Sequence, residues 1–451
     1  MSERPPRFLL RLLAAVLFAA VVVGGGLVLE QRVGVRPPAD RRTAAAISGA
    51  WFCPHGGGEG WSVWVTVANP GDAPVKVQTL TFGPRAPARA SRVVEPGTVA
   101  YLEVPAERMA SGTQVEFFGG RVAAGMVVAR PKGGIGADAC AGDASTRWYL
   151  PEGTTQRGQQ QNLVLMNPFD QEAVLDVVLA TGDETVRHGS LTGVVVPPRR
   201  AAAFDLNRFA LGKRTLAASV IVKLGKVAAA GSGLVEGGGL RLTLGSSRTA
   251  TEWVLPGAGE DRPTELVVMG ATDLPPAPFR VRSQGLGRQQ EVLNEASVDP
   301  GAALTFELPG RDAGLVAEAS GPREFVAARR LLWSATVDQA STPGLRPSPS
   351  WVALPPVAAT GGDASVLIEN PGDELVEVHL RLLTETGFAE VPSFSSLTIG
   401  PGRIRTFPLA PLVGSDPVAV LVEALGGSVV VAQLTQDGAF ALAPATDMRL
   451  P

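Results

Sequence analysis

The chain of 451 residues has room for about three ordinary domains, and its 45% apolar content is enough to build hydrophobic cores. Only 18% of the residues are charged, whereas 53 Gly and 37 Pro favour short strands joined by tight turns over helices. The net charge of −3 leaves no basic surface of the kind that binds nucleic acid, so we expect no nucleic-acid partner.

The first predicted element is a membrane anchor at residues 12–29, which contain no charged side chain. As a helix this segment spans ~27 Å, and extending it back to Phe8 reaches the ~30 Å hydrocarbon core. The residues after it make a poor signal-peptidase site, which favours an uncleaved anchor. We therefore expect a cytoplasmic tail at 1–11, the transmembrane anchor at 12–29 and a linker at 30–47.

The two cysteines, Cys53 and Cys140, indicate where the rest of the chain resides. An even pair outside the cytoplasm is typical of one disulfide, here joining the first and last segments of one repeat. Together with the N-terminal anchor, this predicts a single-pass protein of the cell membrane whose C-terminal region is extracytoplasmic.

Beyond the linker, the sequence repeats with a period of roughly 100 residues. The first landmark is a tryptophan signature, which reads WFCP at 51–54, WYLP at 148–151, WVLP at 253–256 and WVALP at 351–355. The second landmark reads NPGD at 69–72, NPFD at 167–170, GATD at 270–273 and NPGD at 370–373. The third landmark reads VEPG at 94–97, VPPR at 196–199, VDPG at 298–301 and IGPG at 399–402. These landmarks define four tandem repeats at 48–147, 148–250, 251–349 and 350–451.

Within a repeat, apolar and polar residues alternate, as at 376–382, which is the pattern of a half-buried strand. Pro and Gly at the middle positions of NPGD predict a type II hairpin turn. Six to eight strands per repeat favour an all-β fold of four immunoglobulin-like β-sandwich repeats, arranged as a linear array. The alternative is a β-propeller-like arrangement in which each repeat holds two four-stranded blades.

The second repeat resembles a module of unknown function that recurs in actinobacteria. The resemblance rests on WYLPEGTT at 148–155, on LVLMNPF at 163–169 and on ARRLLW at 328–333, where Ala328 replaces the Glu of the module. It extends over the chain from Trp51 onward and is weakest in the third repeat. The resemblance implies a secreted or membrane-anchored envelope protein, and the module contributes no catalytic residue.

One stretch of the first repeat differs from its copies and is the candidate binding surface. A glycine-rich loop carries His55 and Glu59, and Trp61 and Trp64 follow it. An exposed tryptophan there could stack on a sugar ring or anchor a protein partner. The alternative is that both tryptophans fill gaps between repeats.

Catalytic and metal-binding signatures do not emerge from the sequence. The three histidines, His55, His188 and His379, fall in different repeats, and carboxylates form no marked pair. We therefore expect a non-enzymatic structural or interaction protein of the cell envelope, without cofactor or metal, whose partners are the membrane and an envelope protein or glycan. The alternatives are a carbohydrate-binding or adhesin-like module that uses the first repeat, and an unrecognised hydrolase.

Overall fold

The structure, a computed structural model, describes residues 47–83, 87–131, 133–182, 184–257, 264–285, 291–308, 314–332, 339–355, 364–409, 418–435 and 441–449. The predicted tail, the anchor at 12–29 and the linker up to residue 46 lie outside the described residues. In the described part of the chain, no helix is both long and apolar enough to cross a membrane. Ser48–Pro451 form one compact unit.

The described regular structure is almost entirely antiparallel β-strand, as the Gly, Pro and alternation patterns predict. The first repeat contains β1 Ser48–Cys53, β2 Ser62–Ala68, β3 Val75–Phe82, β4 Ala88–Val94, β5 Val99–Glu103, β6 Gly112–Phe118, β7 Ala123–Ala129 and β8 Ile135–Ala139. The second contains β9 Arg147–Gly153, β10 Gln159–Asn167, β11 Ala173–Thr181, β12 Glu184–Val186, β13 Val194–Val196, β14 Arg200–Asp205, β15 Leu216–Leu224, β16 Ala228–Val235 and β17 Leu240–Leu244.

The third and fourth repeats follow the same plan. The third contains β18 Glu252–Leu255, β19 Thr264–Met269, β20 Ala277–Gln284, β21 Val292–Val298, β22 Ala303–Leu308, β23 Gly314–Ala319, β24 Val326–Leu332 and β25 Gln339–Pro343. The fourth contains β26 Ser350–Ala353, β27 Ala364–Asn370, β28 Val376–Leu383, β29 Phe388–Ala389, β30 Leu397–Ile399, β31 Arg403–Pro408, β32 Ala419–Leu425, β33 Val430–Thr435, β34 Ala441–Pro444 and β35 Thr446–Asp447. Short 3₁₀ helices occupy Gly189–Leu191, Leu206–Arg208 and Pro392–Phe394.

Each repeat contains two sheets that pack on one another as a β-sandwich. One sheet, here called the outer sheet, has the strand order β1-β6-β3-β4 in the first repeat, and the inner sheet has the order β5-β2-β7-β8. The same orders recur in the other repeats, with short additional strands at the outer sheets of the second and fourth. Trp51 and Phe117 of the outer sheet share a core with Val65 and Val128 of the inner sheet.

The last strands of the four inner sheets meet at the centre of the unit formed by Ser48–Pro451. Strand β8 packs against β17 and β34, and β25 packs against the same two strands. The repeats therefore close into a ring, and the expected linear array is wrong. Two sheets of four or more strands per repeat are the feature on which the β-propeller alternative rested.

Contacts between the first and fourth repeats close this ring. Ala68, Val99 and Ala123 of the first repeat pack against Val352 and Leu421 of the fourth. The backbone N–H of Val99 donates to the carbonyl oxygen of Thr384 at 3.0 Å, next to a parallel bridge between Thr98 and Thr384. The inner sheets are thus covered on both faces, which explains near-continuous buried runs such as β7.

The NPGD landmark is a turn, but the predicted hairpin is wrong. Strand β2 pairs with β5 and β7, whereas β3 pairs with β4 and β6, so the turn crosses from the inner to the outer sheet. Positive φ angles, which a type II turn needs at its Gly, occur instead in the third landmark, at Gly97 (69°), Gly301 (71°) and Gly402 (61°) and also at Arg199 (50°). The alternation shows that strands are present, but it does not show which strands pair.

Candidate functional site

The tryptophan of each signature ties the first strand of the outer sheet to the inner sheet. The indole nitrogens of Trp51, Trp148, Trp253 and Trp351 all donate to backbone carbonyls that lie next to strands β7, β16, β24 and β33, at 2.7–2.9 Å. All four side chains are buried. Because a buried indole N–H needs an acceptor, this shared contact gives a physical reason for the repeated signature.

These four tryptophans surround a cavity of about 520 Å³ at one end of the ring axis. Its remaining walls come from the segments that lead out of the four central strands. The lining comprises residues 138–143, 244–248, 343–346, 444–447 and 449. Every repeat contributes, so the cavity exists only in the closed ring, and no sequence motif predicts it.

The rim of this axial cavity is rich in arginine. Arg248, Arg346 and Arg449 are exposed and lie on the second, third and fourth of these segments, while the first segment has Asp143. Arg449 forms an ion pair with Asp447 at 2.8 Å. Among the described residues, Arg248 and Arg346 have no ion-pair partner, so their guanidinium groups are available to a ligand.

The inner wall of the cavity contains a buried carboxylate, Asp138. Its Oδ1 accepts the N–H of Ala139 and its Oδ2 accepts the N–H of Leu244, each at 2.7 Å. Burial raises the pKa of Asp138 well above its ordinary value, while the two backbone donors oppose that shift. Because both oxygens are engaged, Asp138 serves to join β8 to the neighbouring strand β17 of the second repeat.

The candidate surface of the first repeat lies elsewhere and is only partly exposed. The side chain of His55 is buried, and its Nε2 lies 2.9 Å from the Thr113 hydroxyl, so it would not contact a surface ligand. Glu59 is exposed, whereas Trp61 is half-buried, contacted by Gly58 and by the guanidinium of Arg130 at 5.6 Å. Trp64 packs against the core near Val127 and Ala137. The structure therefore brings no open aromatic platform together at this loop.

The predicted disulfide is confirmed. Cys53 on β1 and Cys140 after β8 are bonded, with Cα atoms 4.6 Å apart and a sequence separation of 87 residues. The bond joins the first and last segments of the first repeat. Cys140 also lines the axial cavity, so the bond fixes one wall of it.

A buried ionic cluster between the second and third repeats escaped the sequence reasoning. Arg330 donates to the carbonyl oxygen of Gly153 at 3.2 Å and pairs with Glu265 at 2.8 Å. Burial raises the pKa of Glu152 to about 7, against the opposing charges of Arg241 and Arg330. Residues 152–153 and Arg330 come from two of the three segments that carry the resemblance to the actinobacterial module. Both segments belong to the module that the chain resembles. Their joint occurrence in the sequence was the signal that could have revealed this interface.

The neighbouring Arg329 points to the opposite face of β24 because successive strand residues alternate. It donates to the Thr264 hydroxyl at 2.7 Å and to the carbonyl oxygen of Pro256 at 2.9 Å. It thus anchors the third tryptophan signature. In the described part of the chain, no group of three or more His, Cys, Asp and Glu side chains could hold a metal ion.

Comparison with known proteins places these features in a family. No curated protein matches the chain. Residues 111–339 match a family model, and they include all of the second repeat and both segments of the buried ionic cluster. This match covers about half of the sequence, and the chain belongs to DUF5719, a family of unknown function.

Proposed function

We propose that this protein is a membrane-anchored, extracytoplasmic structural or interaction protein of the cell envelope, without enzymatic activity. The observation that carries the proposal is the Cys53–Cys140 disulfide. Structural disulfides persist in oxidising compartments and are rare in the cytoplasm. The apolar segment at 12–29 supports the anchor on the basis of sequence alone.

The arrangement of charged groups supports a binding role over catalysis. A hydrolase that uses two carboxylates needs them to face one cleft with room for substrate. The axial cavity has arginines at its rim, and both oxygens of its buried Asp138 are held by backbone donors. Of the other two carboxylates in its lining, Asp447 is paired with Arg449 and Asp143 is exposed at the rim. A carbohydrate-binding role for the first repeat is less well supported, because Gly58 and Arg130 contact the Trp61 ring.

The finer fold assignment is part of the same proposal. We place the repeats with immunoglobulin-like sandwiches, because each has two antiparallel sheets of four or more strands with a shared core. The resemblance to actinobacterial envelope modules supports the same cellular location. In this view the ring is a rigid extracytoplasmic platform that presents loops and a cavity to partners.

The location can be tested in cells with two fusions at the C-terminus. One reporter is active only in the cytoplasm, and the other is active only after export. We expect a signal from the second reporter alone, and resistance of Cys53 and Cys140 to alkylation before reduction. A cytoplasmic signal together with two free thiols would refute the extracytoplasmic assignment.

The interaction role can be tested by crosslinking intact cells and purifying the full-length protein. We expect an envelope partner that is recovered with the wild-type chain and lost when the ring is opened by a charged substitution at its closing interface, such as Ala123→Glu. An Arg157→Gln variant serves as the exposed control. Equal recovery with the opened ring would contradict a platform role.

A further inference from the structure

We propose that the axial cavity binds a small amphipathic anion, whose carboxylate or phosphate group meets Arg248 and Arg346 and whose apolar part enters the cavity. The proposal goes beyond the structural role, because it assigns a ligand class to a specific site. It rests on three features of the described residues: the arginines at the rim, the walls below them and the aspartate that the first segment has where the other three have an arginine.

The first feature is the availability of the arginines. Arg248 and Arg346 are exposed at the rim and have no ion-pair partner among the described residues. Arg449 is less available to a ligand, because it pairs with Asp447 and donates to the carbonyl oxygen of Pro347 at 3.0 Å. Guanidinium groups match carboxylate and phosphate oxygens in geometry and charge, so the rim is complementary to an anion.

The second feature is the volume and chemistry of the walls. About 520 Å³ lies within the size range of small-molecule sites. The four tryptophans are buried and their indole N–H groups are already bonded to backbone carbonyls, so the small surface that they leave to the cavity is mainly carbon. A purely hydrophilic anion would leave this surface unused, whereas an anion with a short apolar body would cover it.

The third feature is the one position that departs from the others. The segment from the first repeat has the exposed Asp143, where each of the other three segments has an arginine. Its carboxylate would repel an anion, which directs the charged group towards the second and third repeats. Removing that repulsion should strengthen binding, so Asp143→Asn provides a gain-of-affinity test that a merely damaged protein cannot mimic.

The experiment is calorimetric titration of the full-length chain in nanodiscs of zwitterionic lipid, with empty nanodiscs as the blank. The probes are butyl, hexyl and octyl phosphate, the matching carboxylates, inorganic phosphate and hexanol. We expect saturable binding of one anion per chain, with affinity rising roughly three- to fourfold per methylene until the cavity is filled. Inorganic phosphate and hexanol should each bind at least tenfold more weakly than hexyl phosphate.

The variants decide whether the signal comes from the cavity. Arg248→Gln/Arg346→Gln should weaken hexyl phosphate at least tenfold, Asp143→Asn should strengthen it, and the exposed control Arg157→Gln should leave it unchanged. Equal binding by the double variant, or equal affinity for hexanol and hexyl phosphate, overturns the proposal. Competition by vesicles with anionic lipid identifies a lipid headgroup as the source of the anion, and retained binding in their presence identifies a free amphiphile.

Discussion

His55 illustrates how burial converts a candidate surface residue into a determinant of stability. Burial lowers its pKa to about 4 from 6.5, although the carbonyl oxygen of Gly56 opposes the shift. The folded state therefore favours the neutral ring. The contribution of His55 to the free energy of unfolding is fully present above pH 6.5 and is lost as the pH falls towards 4, because the unfolded chain then binds a proton that the folded chain does not. The shift corresponds to roughly 3 kcal/mol.

The corresponding test is the His55→Gln variant, whose side chain does not titrate. Between pH 7 and pH 4, the free energy of unfolding measured with denaturant should fall by roughly 3 kcal/mol more for the wild type than for the variant. The exposed His188 provides the matched control, as His188→Gln. If the free energy of unfolding changes with pH in the same way for the wild type and His55→Gln, the imidazole ring of His55 is not excluded from water.

Glu369 is a buried carboxylate at a position where the other repeats have Ala68, Met166 and Met269. Neither of its oxygens has a hydrogen-bond partner among the described residues. Burial raises its pKa well above the ordinary value, and the positive charge of Arg329 opposes the shift only in part. A raised pKa means that the folded state binds more protons, so stability falls as the pH rises above about 4.5.

We expect Glu369→Gln to abolish this loss, because the amide has the same shape and no ionisable group. The free energy of unfolding should therefore increase at pH 8 relative to wild type and change little at pH 4. Glu59→Gln, an exposed substitution, is the control. A variant that is destabilised equally at both pH values would mean that the carboxylate has a favourable partner.

At the scale of elements, the Asn side chain of the second landmark joins two turns by hydrogen bonds. Asn370 donates to the carbonyl oxygens of Glu374 (2.7 Å) and Ile399 (3.0 Å), and its Oδ1 accepts the N–H of Gly372. Asn69 and Asn167 make equivalent contacts. In these three repeats the side chain therefore fixes the second landmark to the third. In the third repeat Gly270 has no side chain, and its carbonyl oxygen accepts the backbone N–H of Gly301 at 3.0 Å.

Asn370→Ala should cost roughly 2–4 kcal/mol, because it leaves buried carbonyl groups without donors. Asp373→Ala, an exposed change in the same turn, should stay within about 0.5 kcal/mol of wild type. Thermal or denaturant unfolding measures both. Similar stabilities for the two variants would argue that water replaces the amide.

The sequence indicates these elements well but their pairing poorly. Turn residues and alternation indicate strands such as β28, and the repeated landmarks predict four units. They could not show that β2 and β3 belong to different sheets, because turn chemistry is local whereas strand pairing depends on distant segments. The axial cavity was missed for the same reason, since its lining residues come from four separate segments.

At the scale of the whole molecule, the ring depends on small residues at the contact between the first and last repeats. Ala68, Ala123 and Ala419 allow two sheets to approach closely there. Runs of alanine, glycine and valine, such as β7 and β16, are the sequence signal for sheets buried on both faces. That signal shows that a second face is covered, but it does not identify the repeat that covers it.

Ring closure can be tested with a disulfide engineered by replacing Thr98 and Thr384 with cysteine, because these two residues form a parallel bridge. Neighbouring strands lie ~4.8 Å apart, within reach of a disulfide. Oxidation of Thr98→Cys/Thr384→Cys should give a monomer whose new bond links the first and fourth repeats, detected by mass spectrometry of the digested protein. Thr98→Cys/Thr185→Cys is the control, because Thr185 bonds to Gly301 at the contact between the second and third repeats. That pair should remain reduced or form only dimers. If the first pair also yields only free thiols or dimers, the repeats do not close into a ring in solution, and an axial cavity built from all four of them would not form.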